Sequence, residues 1–267
     1  MLQRFQNPLT SLAVVALFAA PALAAPTTIS DNTAGTATVD GTINSGEYVG
    51  FSEGVGTGFG DVIGASSQLY ADSDDSGNLN FGLSRGAGLL NDAVVIYIDA
   101  VPGGFATTAT FDDNADPLRS AVSGFSGGGD RSTLEFPTGF EADFAIAFDT
   151  TFAGLWSLAG TGSHPFLADA GLVPTGDTSA LDFEFAVQLS DLGLAPGGSF
   201  DYVVTYLNSA NVFRSNEFHG VTTAPADNVG TATYTFADGD FNTFTAYEPP
   251  VDTDDDSWGA VKSMYDN

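Results

Sequence analysis

Four oxygen-bearing side chains stand at alternate positions in one short stretch of the sequence. They are Asp72, Asp74, Ser76 and Asn78. With Gly77 at its sixth position, the stretch is similar to the first half of an EF-hand calcium loop, but Leu83 takes the place of the closing glutamate. Because Ca²⁺ takes about six to eight oxygens, a distant carboxylate such as Asp99 would have to complete the site. The alternative to a Ca²⁺ site is a plain β-hairpin turn, in which Asp, Ser and Gly are preferred.

The segment 124–128 matches the nucleophile-elbow pattern around Ser126. That motif places its serine between a strand and a helix, and no helical periodicity follows here. A catalytic triad would also need one of the two histidines, His164 or His219. His164 precedes a proline and His219 precedes a glycine at a strand end. We therefore interpret both histidines as structural and the motif as a chance match.

Two carboxylate pairs have the i, i+2 spacing that places both side chains on one face of a strand, ~7 Å apart. They are Glu141 with Asp143, and Asp182 with Glu184. Glycosidases use carboxylates at similar separations. In a chain with 34 acidic residues such pairs arise freely, and a solvated strand face is the simpler interpretation. We expect a protein that is not an enzyme, with carboxylate-dependent hydrolysis as a minor alternative.

Aromatic side chains are the better candidates for ligand binding, because an exposed ring can stack on the apolar face of a sugar. The candidate ligand-binding residues are Trp156, Tyr48 and Tyr70. Tyr202 and Tyr206 alternate with Phe200 in one segment, which predicts that these two tyrosines belong to the core.

Strands must position these residues, since almost every apolar segment alternates with period two between Gly, Asn, Asp or Pro. Residues 181–189 are the clearest case, with Phe183 and Phe185 on a core face and Glu184 on a solvated face. The run 94–98 is apolar throughout, which predicts a central strand covered on both faces. With 32 Gly and 22 Phe, the sequence predicts an all-β fold. We expect an antiparallel, jelly-roll-like β-sandwich with long glycine-rich loops such as 125–131, and with a long connection at 161–178.

The charge balance limits the partners. The chain has 34 acidic and 6 basic residues, a net charge of −28, and no cysteine. Nucleic-acid binding needs a basic surface that replaces counterions, and anionic membranes repel an acidic protein in the same way. We therefore expect no nucleic-acid partner. The absence of cysteine excludes thiol chemistry.

The sequence divides into three parts. Residues 1–24 combine Arg4, an apolar run at 12–20 and small residues at Ala22 and Ala24, which predicts a secretory signal peptide. Residues 25–247 form the predicted β-sandwich domain, and residues 248–267 an acidic linker with a short C-terminal tail. We expect a secreted or cell-surface, extracellular protein that is not inserted in the membrane after signal cleavage.

The segment 39–48 resembles the opening of family 9 carbohydrate-binding modules and of DOMON-like sandwiches, where an Asp-Gly strand precedes a Glu-Trp pair. Here Asp40-Gly41 precedes Glu47, and Tyr48 replaces the tryptophan. Other segments fit the same order: 69–81, 94–99 and 183–197. The chain is also similar to uncharacterised exported bacterial proteins of PEP-CTERM type, through 57–61, 98–104 and 139–143, but without their apolar sorting tail.

The resemblance implies a β-sandwich and leaves function open. Members of family 9 hold sugars between paired tryptophans, whereas this chain has Trp156 and, in its tail, Trp258. The leading hypothesis is a secreted, non-enzymatic binding module for a glycan or another cell-surface polymer. The alternative is a structural or matrix protein of the bacterial envelope or an extracellular appendage, which would self-associate.

Overall fold

The computed structural model describes residues 26–250, and this part of the chain is almost entirely β-structure. The predicted signal peptide and nearly all of the predicted tail lie outside the described residues. The strands are β1 Thr28–Ser30, β2 Gly50–Val55, β3 Gln68–Ser73, β4 Asn78–Ser84, β5 Ala93–Asp99, β6 Thr133–Glu135, β7 Phe144–Phe148, β8 Ala153–Ser157, β9 Phe166–Asp169, β10 Asp182–Gln188, β11 Ser199–Asn208, β12 Phe213–His219, β13 Thr233–Thr235 and β14 Asn242–Thr245. One α-helix, α1 Pro117–Ser123, and a 3-10 helix, Leu189–Leu192, complete the fold.

The strands form one large sheet in the order β10-β4-β3-β2-β12-β11-β5-β7-β8-β9, with every neighbouring pair antiparallel. β14 continues the sheet beside β11 and pairs in parallel with β1. β6 and β13 make a separate two-stranded sheet. The long connection predicted at 161–178 contains the strand β9.

The two ends of the large sheet meet. Ala186 of β10 donates its backbone N–H to the carbonyl of Ala170, just after β9, at 2.8 Å. Val173 donates in the same way to the carbonyl of Glu184 at 3.2 Å. The result is a nearly closed, barrel-like sandwich, which confirms the predicted all-β antiparallel fold.

Two apolar cores lie on the two faces of β5. Val94, Ile96 and Ile98 point into the barrel, whereas Val95 and Tyr97 pack outside it under α1 and β6. All five side chains are fully buried. The prediction of a central strand covered on both faces is confirmed, as is the core position of the two tyrosines of β11.

A single buried carboxylate organises the glycine-rich loop between β2 and β3. Glu217 of β12 is fully buried, and its Oε1 accepts the backbone N–H groups of Phe59 at 2.6 Å and Asp61 at 3.1 Å. Its Oε2 accepts those of Val62 at 2.8 Å and Ile63 at 3.0 Å. Four amide dipoles thus replace a counter-cation, which is how a charge is kept inside a protein without an ion pair.

No helix within residues 26–250 is long and apolar enough to cross a membrane. The predicted signal segment is outside the residues to which this finding applies.

Removing the Glu217 carboxylate should destabilise the protein, because four buried amide groups would lose their acceptor at once. We expect Glu217→Ala to lower the free energy of unfolding by about 2 to 5 kcal/mol. Urea unfolding followed by intrinsic fluorescence measures the change. Glu141→Ala is the matched control, since Glu141 is exposed and its side chain has no hydrogen bond in the described structure. Equal stability of the two variants would contradict this role of Glu217.

Candidate functional site

Four strands on one side of the barrel present a single cross-strand row on their outer face. The register places Phe51 of β2 opposite Tyr70 of β3, Tyr70 opposite Gly82 of β4, and Gly82 opposite Glu184 of β10. Residues directly opposite each other in antiparallel strands project on the same side. The row therefore runs from two aromatic rings to a glycine and a carboxylate.

The glycine in this row leaves space for the segment that precedes β2. A side chain at Gly82 would begin 2.9 Å from Ile43 and 3.0 Å from the Tyr48 ring, closer than packed atoms allow. The chain before β2 therefore crosses the sheet at this point, and the ring of Tyr48 takes the place that a side chain of β4 would fill.

Glu184 fixes this covering segment. Its side chain is fully buried, and Oε2 accepts the backbone N–H groups of Asp40 at 3.2 Å, Gly41 at 2.7 Å and Thr42 at 2.9 Å. Oε1 accepts the hydroxyl of Tyr48 at 2.7 Å. The prediction that Glu184 lies on a solvated face is therefore wrong. The period-two pattern correctly placed Glu184 on the outer face of β10, but residues 40–48 cover that face.

Three rings lie next to one another on this surface. The ring centroids of Tyr48 and Tyr70 are 5.6 Å apart, and those of Tyr70 and Phe51 are 5.2 Å apart. Phe51 is 38% exposed, and both tyrosines are partly exposed. They line a groove of about 470 Å³ together with Ile43, Asn44 and Ser45. We call this feature the aromatic groove.

The hydroxyl groups in the aromatic groove are donors at any physiological pH. Burial, together with the neighbouring Glu184 carboxylate, raises the pKa of Tyr48 far above its usual range. Burial and the charge of Asp182 raise the pKa of Tyr70. The Tyr70 hydroxyl donates to Oε1 of Gln68 at 2.5 Å. Two of the three predicted ligand-binding residues are thus brought together in one groove.

The third predicted ligand-binding residue is elsewhere. Trp156 of β8 is 2% exposed and packs in the outer core between Phe152 and Phe166, with ring centroids 6.5 and 5.8 Å away. A ring in that position has no free face on which a sugar could stack. Sequence alone gave no sign of this burial, because tryptophan occurs both in cores and on binding surfaces.

The stretch that is similar to a calcium loop forms the hairpin between β3 and β4. Asp74 Oδ1 accepts the backbone N–H groups of Ser76 at 2.8 Å and Asn78 at 2.9 Å, and its Oδ2 accepts the Asn78 side chain at 2.6 Å. Asp72 is buried and accepts the N–H of Ala37 at 3.3 Å. Both carboxylates are engaged within the protein, as in the hairpin alternative. Among residues 26–250, no three His, Asp or Glu side chains converge as metal ligands.

Both histidines are buried, and His164 is not oriented as a catalytic base towards Ser123. Nδ1 of His164 accepts the backbone N–H of Ala159 at 3.0 Å, so the ring proton is on Nε2, which donates to Ser123 Oγ at 3.0 Å. A nitrogen that donates to a hydroxyl cannot take its proton. His219 is fully buried between Ser52 and Ser67. Ser126 of the elbow-like motif follows α1 and precedes β6, which reverses the order that the motif requires.

A cluster of carboxylates lies at one end of the barrel, where Asp99 of β5 is opposite Asp201 of β11. Asp143 accepts the backbone N–H groups of Ala100 and Val101, and Asp99 accepts that of Glu141. Burial first, and then repulsion from Asp143, Asp201 and Glu141, raises the pKa of Asp99 to about 6. These carboxylates bind loop amides, and no basic side chain in the described structure pairs with them.

Comparisons with known proteins leave the family open. No protein-family model and no curated protein matches the chain. A solved structure from Bacteroides uniformis ATCC 8492, named a "putative carbohydrate-binding protein", aligns with a TM-score of 0.40 and 8% sequence identity, over 84% of this chain and 100% of that chain. A likeness this distant carries no argument about function. The proposed function is therefore argued from the geometry of the aromatic groove.

Asp99→Asn should stabilise the protein at neutral pH and not at acidic pH. The raised pKa means that the folded chain keeps the Asp99 proton when the unfolded chain, with its ordinary value near 3.8, has lost it. This contribution to stability is complete at low pH and falls as pH rises towards 6. After solvent screening we expect a gain of about 1 kcal/mol for Asp99→Asn at neutral pH.

The measurement is the difference in unfolding free energy between variant and parent at about pH 4.5 and about pH 7.5. A difference is needed because burial lowers the pKa of His219 to about 4, which changes the stability of both proteins with pH in the opposite direction. A gain that is the same at both pH values would rule out the ionisation of Asp99 as its cause.

Proposed function

We propose that this chain is a non-enzymatic module that binds a glycan chain in the aromatic groove. The observation that carries the proposal is the set of three adjacent, partly exposed rings of Tyr48, Tyr70 and Phe51. Sugar rings present apolar C–H faces that stack on aromatic rings, and their hydroxyls bond to polar groups at the edge. Asn44 and Ser45 supply such groups beside the rings.

The groove is formed before any ligand arrives. The Glu184 carboxylate holds both the backbone of residues 40–42 and the Tyr48 hydroxyl, so the orientation of that ring is set by the fold. Little conformational entropy remains to be lost on binding, which favours affinity. A groove open along one side of a sheet is suited to a chain of sugars.

Binding without hydrolysis is favoured by the engagement of Glu184 and Glu47, the two glutamates that hold the segment carrying Tyr48. Glu184 accepts four hydrogen bonds, and Glu47 accepts hydrogen bonds on both oxygens from Thr38 and Asn44. A glycosidase needs one carboxyl group that can protonate the leaving oxygen and a second that reaches the sugar carbon or a water. Neither residue is free to act in this way.

The proposal includes export of the protein by the predicted signal peptide at residues 1–24. A polysaccharide or another cell-surface component is the partner that a groove of this kind would meet outside the cell. The acidic surface is compatible with such a partner and not with nucleic acid.

Truncating the exposed rings should weaken glycan binding without unfolding the protein. We expect Tyr70→Ala and Phe51→Ala each to reduce the affinity for a bound polysaccharide about tenfold or more, because each removes a stacking surface. Affinity electrophoresis against a panel of polysaccharides, followed by calorimetry with the best ligand, measures the loss.

Phe166→Ala is the matched control, since Phe166 is an aromatic residue with 48% exposure on β9, outside the aromatic groove. It should bind as the parent does. No retention of the parent on the whole panel, or equal losses in Phe166→Ala and Tyr70→Ala, would refute the proposed function.

A further inference from the structure

We infer that the aromatic groove selects sugar chains with protonated amino groups, such as a glucosamine polymer that has lost its N-acetyl groups. This inference rests on the proposed function and names the class of ligand. It is carried by a free carboxylate beside the rings, by the sign of the charges around them, and by the position of every arginine in the described residues.

The free carboxylate belongs to Glu53. It lies two residues beyond Phe51 on β2, so it projects on the same outer face, ~7 Å along the strand. The register places it opposite Gln68, which accepts the hydroxyl of Tyr70. Glu53 is exposed, and within residues 26–250 its side chain has no hydrogen-bond or ionic partner. Both of its oxygens are therefore available to a ligand that lies on the rings.

The other charges near the rings are also negative. Asp182 raises the pKa of Tyr70, and Glu47 and Asp72 raise that of Tyr48, in each case after the larger effect of burial. Their position is also given by hydrogen bonds to residues that line the groove: Asp182 accepts the backbone N–H of Ile43 at 3.3 Å, and Glu47 accepts that of Asn44 at 2.8 Å. The electrostatic potential over the groove is accordingly negative, which attracts cations and repels anions.

No basic side chain of the described residues balances these charges. The four arginines in this range make contacts outside the groove: Arg85 with residues 86, 88, 179 and 180, Arg119 with Asp113 and Asp116, Arg131 with Thr108 and Phe125, and Arg214 with Ser132 and Thr205. A uronate or a sulfated sugar would meet uncompensated carboxylates here.

The faces of the aromatic rings attract cations, as the carboxylates do. An ammonium group above an aromatic face is attracted by the negative charge of the ring quadrupole. A sugar stacked on Phe51 or Tyr70 can hold an amino group over a neighbouring ring or towards the Glu53 carboxylate. The expected order of affinity is amino sugar, then the neutral N-acetylated sugar, then uronate.

The net charge of the chain alone would also attract any polycation, without a specific site. The two causes differ in what they require. Adsorption to a diffuse negative surface does not need the rings, whereas binding in the groove needs both the rings and Glu53. Short oligomers reduce diffuse adsorption, because they carry few charges.

The experiment compares three hexasaccharides by calorimetry on the folded protein: glucosamine, N-acetylglucosamine and galacturonate. We expect the glucosamine hexamer to bind about tenfold more tightly than the N-acetylated one at low salt, and galacturonate not to bind. The preference should decrease in about 1 M salt and at about pH 8.5, where screening and loss of the amine proton remove the charge.

The test variant is Glu53→Gln, which keeps the shape and removes the charge. It should lower the affinity for the glucosamine hexamer about three- to tenfold and leave that for the N-acetylated hexamer unchanged. Asp130→Asn is the matched control, since it removes one exposed charge in the loop after α1. It should bind both hexamers as the parent does.

Three results would overturn the inference: equal affinity of the parent for the two hexamers, equal effects of Glu53→Gln and Asp130→Asn, or glucosamine binding that survives Tyr70→Ala. If a neutral glycan still binds in a Tyr70-dependent manner, the proposed function stands and only the choice of ligand fails. If no glycan binds in that manner, the proposed function fails as well.

Discussion

The Glu184 carboxylate is the constraint on which the aromatic groove depends. A charged group this deeply buried must be compensated, and here three backbone N–H groups and one hydroxyl do so. Because these donors all come from residues 40–48, the hydrogen bonds that compensate the buried charge also hold the covering segment in place. The ring of Tyr48 is then held beside Tyr70 by the same hydrogen bonds.

Glu217 repeats the arrangement at the loop between β2 and β3. It also lies on a strand, is fully buried, and accepts only backbone N–H groups of a glycine-rich segment. Loops without regular structure leave amide groups unpaired, and a strand-borne carboxylate can satisfy several of them at once. In a chain so poor in basic residues, backbone amides take over the role that lysine and arginine have in most proteins.

Period-two alternation predicts a strand well where one face of the sheet is buried, because apolar and polar residues then alternate along the chain. β10 and the core position of Tyr202 and Tyr206 follow from it, whereas β5 follows from its continuous apolar run. Alternation does not reveal what covers the opposite face, and so the burial of Glu184 was missed. β9 was missed as well, since its alternation is weak and its burial slight.

The groove could be predicted only in part. Tyr48 and Tyr70 were found from residue type, and their proximity depends on register. Phe51 was not predicted, because a phenylalanine is more often a core residue than a binding residue. The role of Gly82 depends on which segment of the chain crosses above it. Trp156 is the opposite case: its type suggested a surface role, and the packing of β8 against β9 decided otherwise.

The scarcity of ion pairs has a consequence for the conditions that this fold tolerates. Both ion pairs in the described residues involve Arg119, so dissolved salt has few attractive charge pairs to screen. Bonds from amides to buried carboxylates are shielded from ions by the protein around them. Repulsion among surface carboxylates, in contrast, is weakened by salt. Concentrated salt would therefore weaken the repulsion among surface carboxylates more than it weakens the attractive interactions that stabilise the fold. The architecture is suited to strongly saline water.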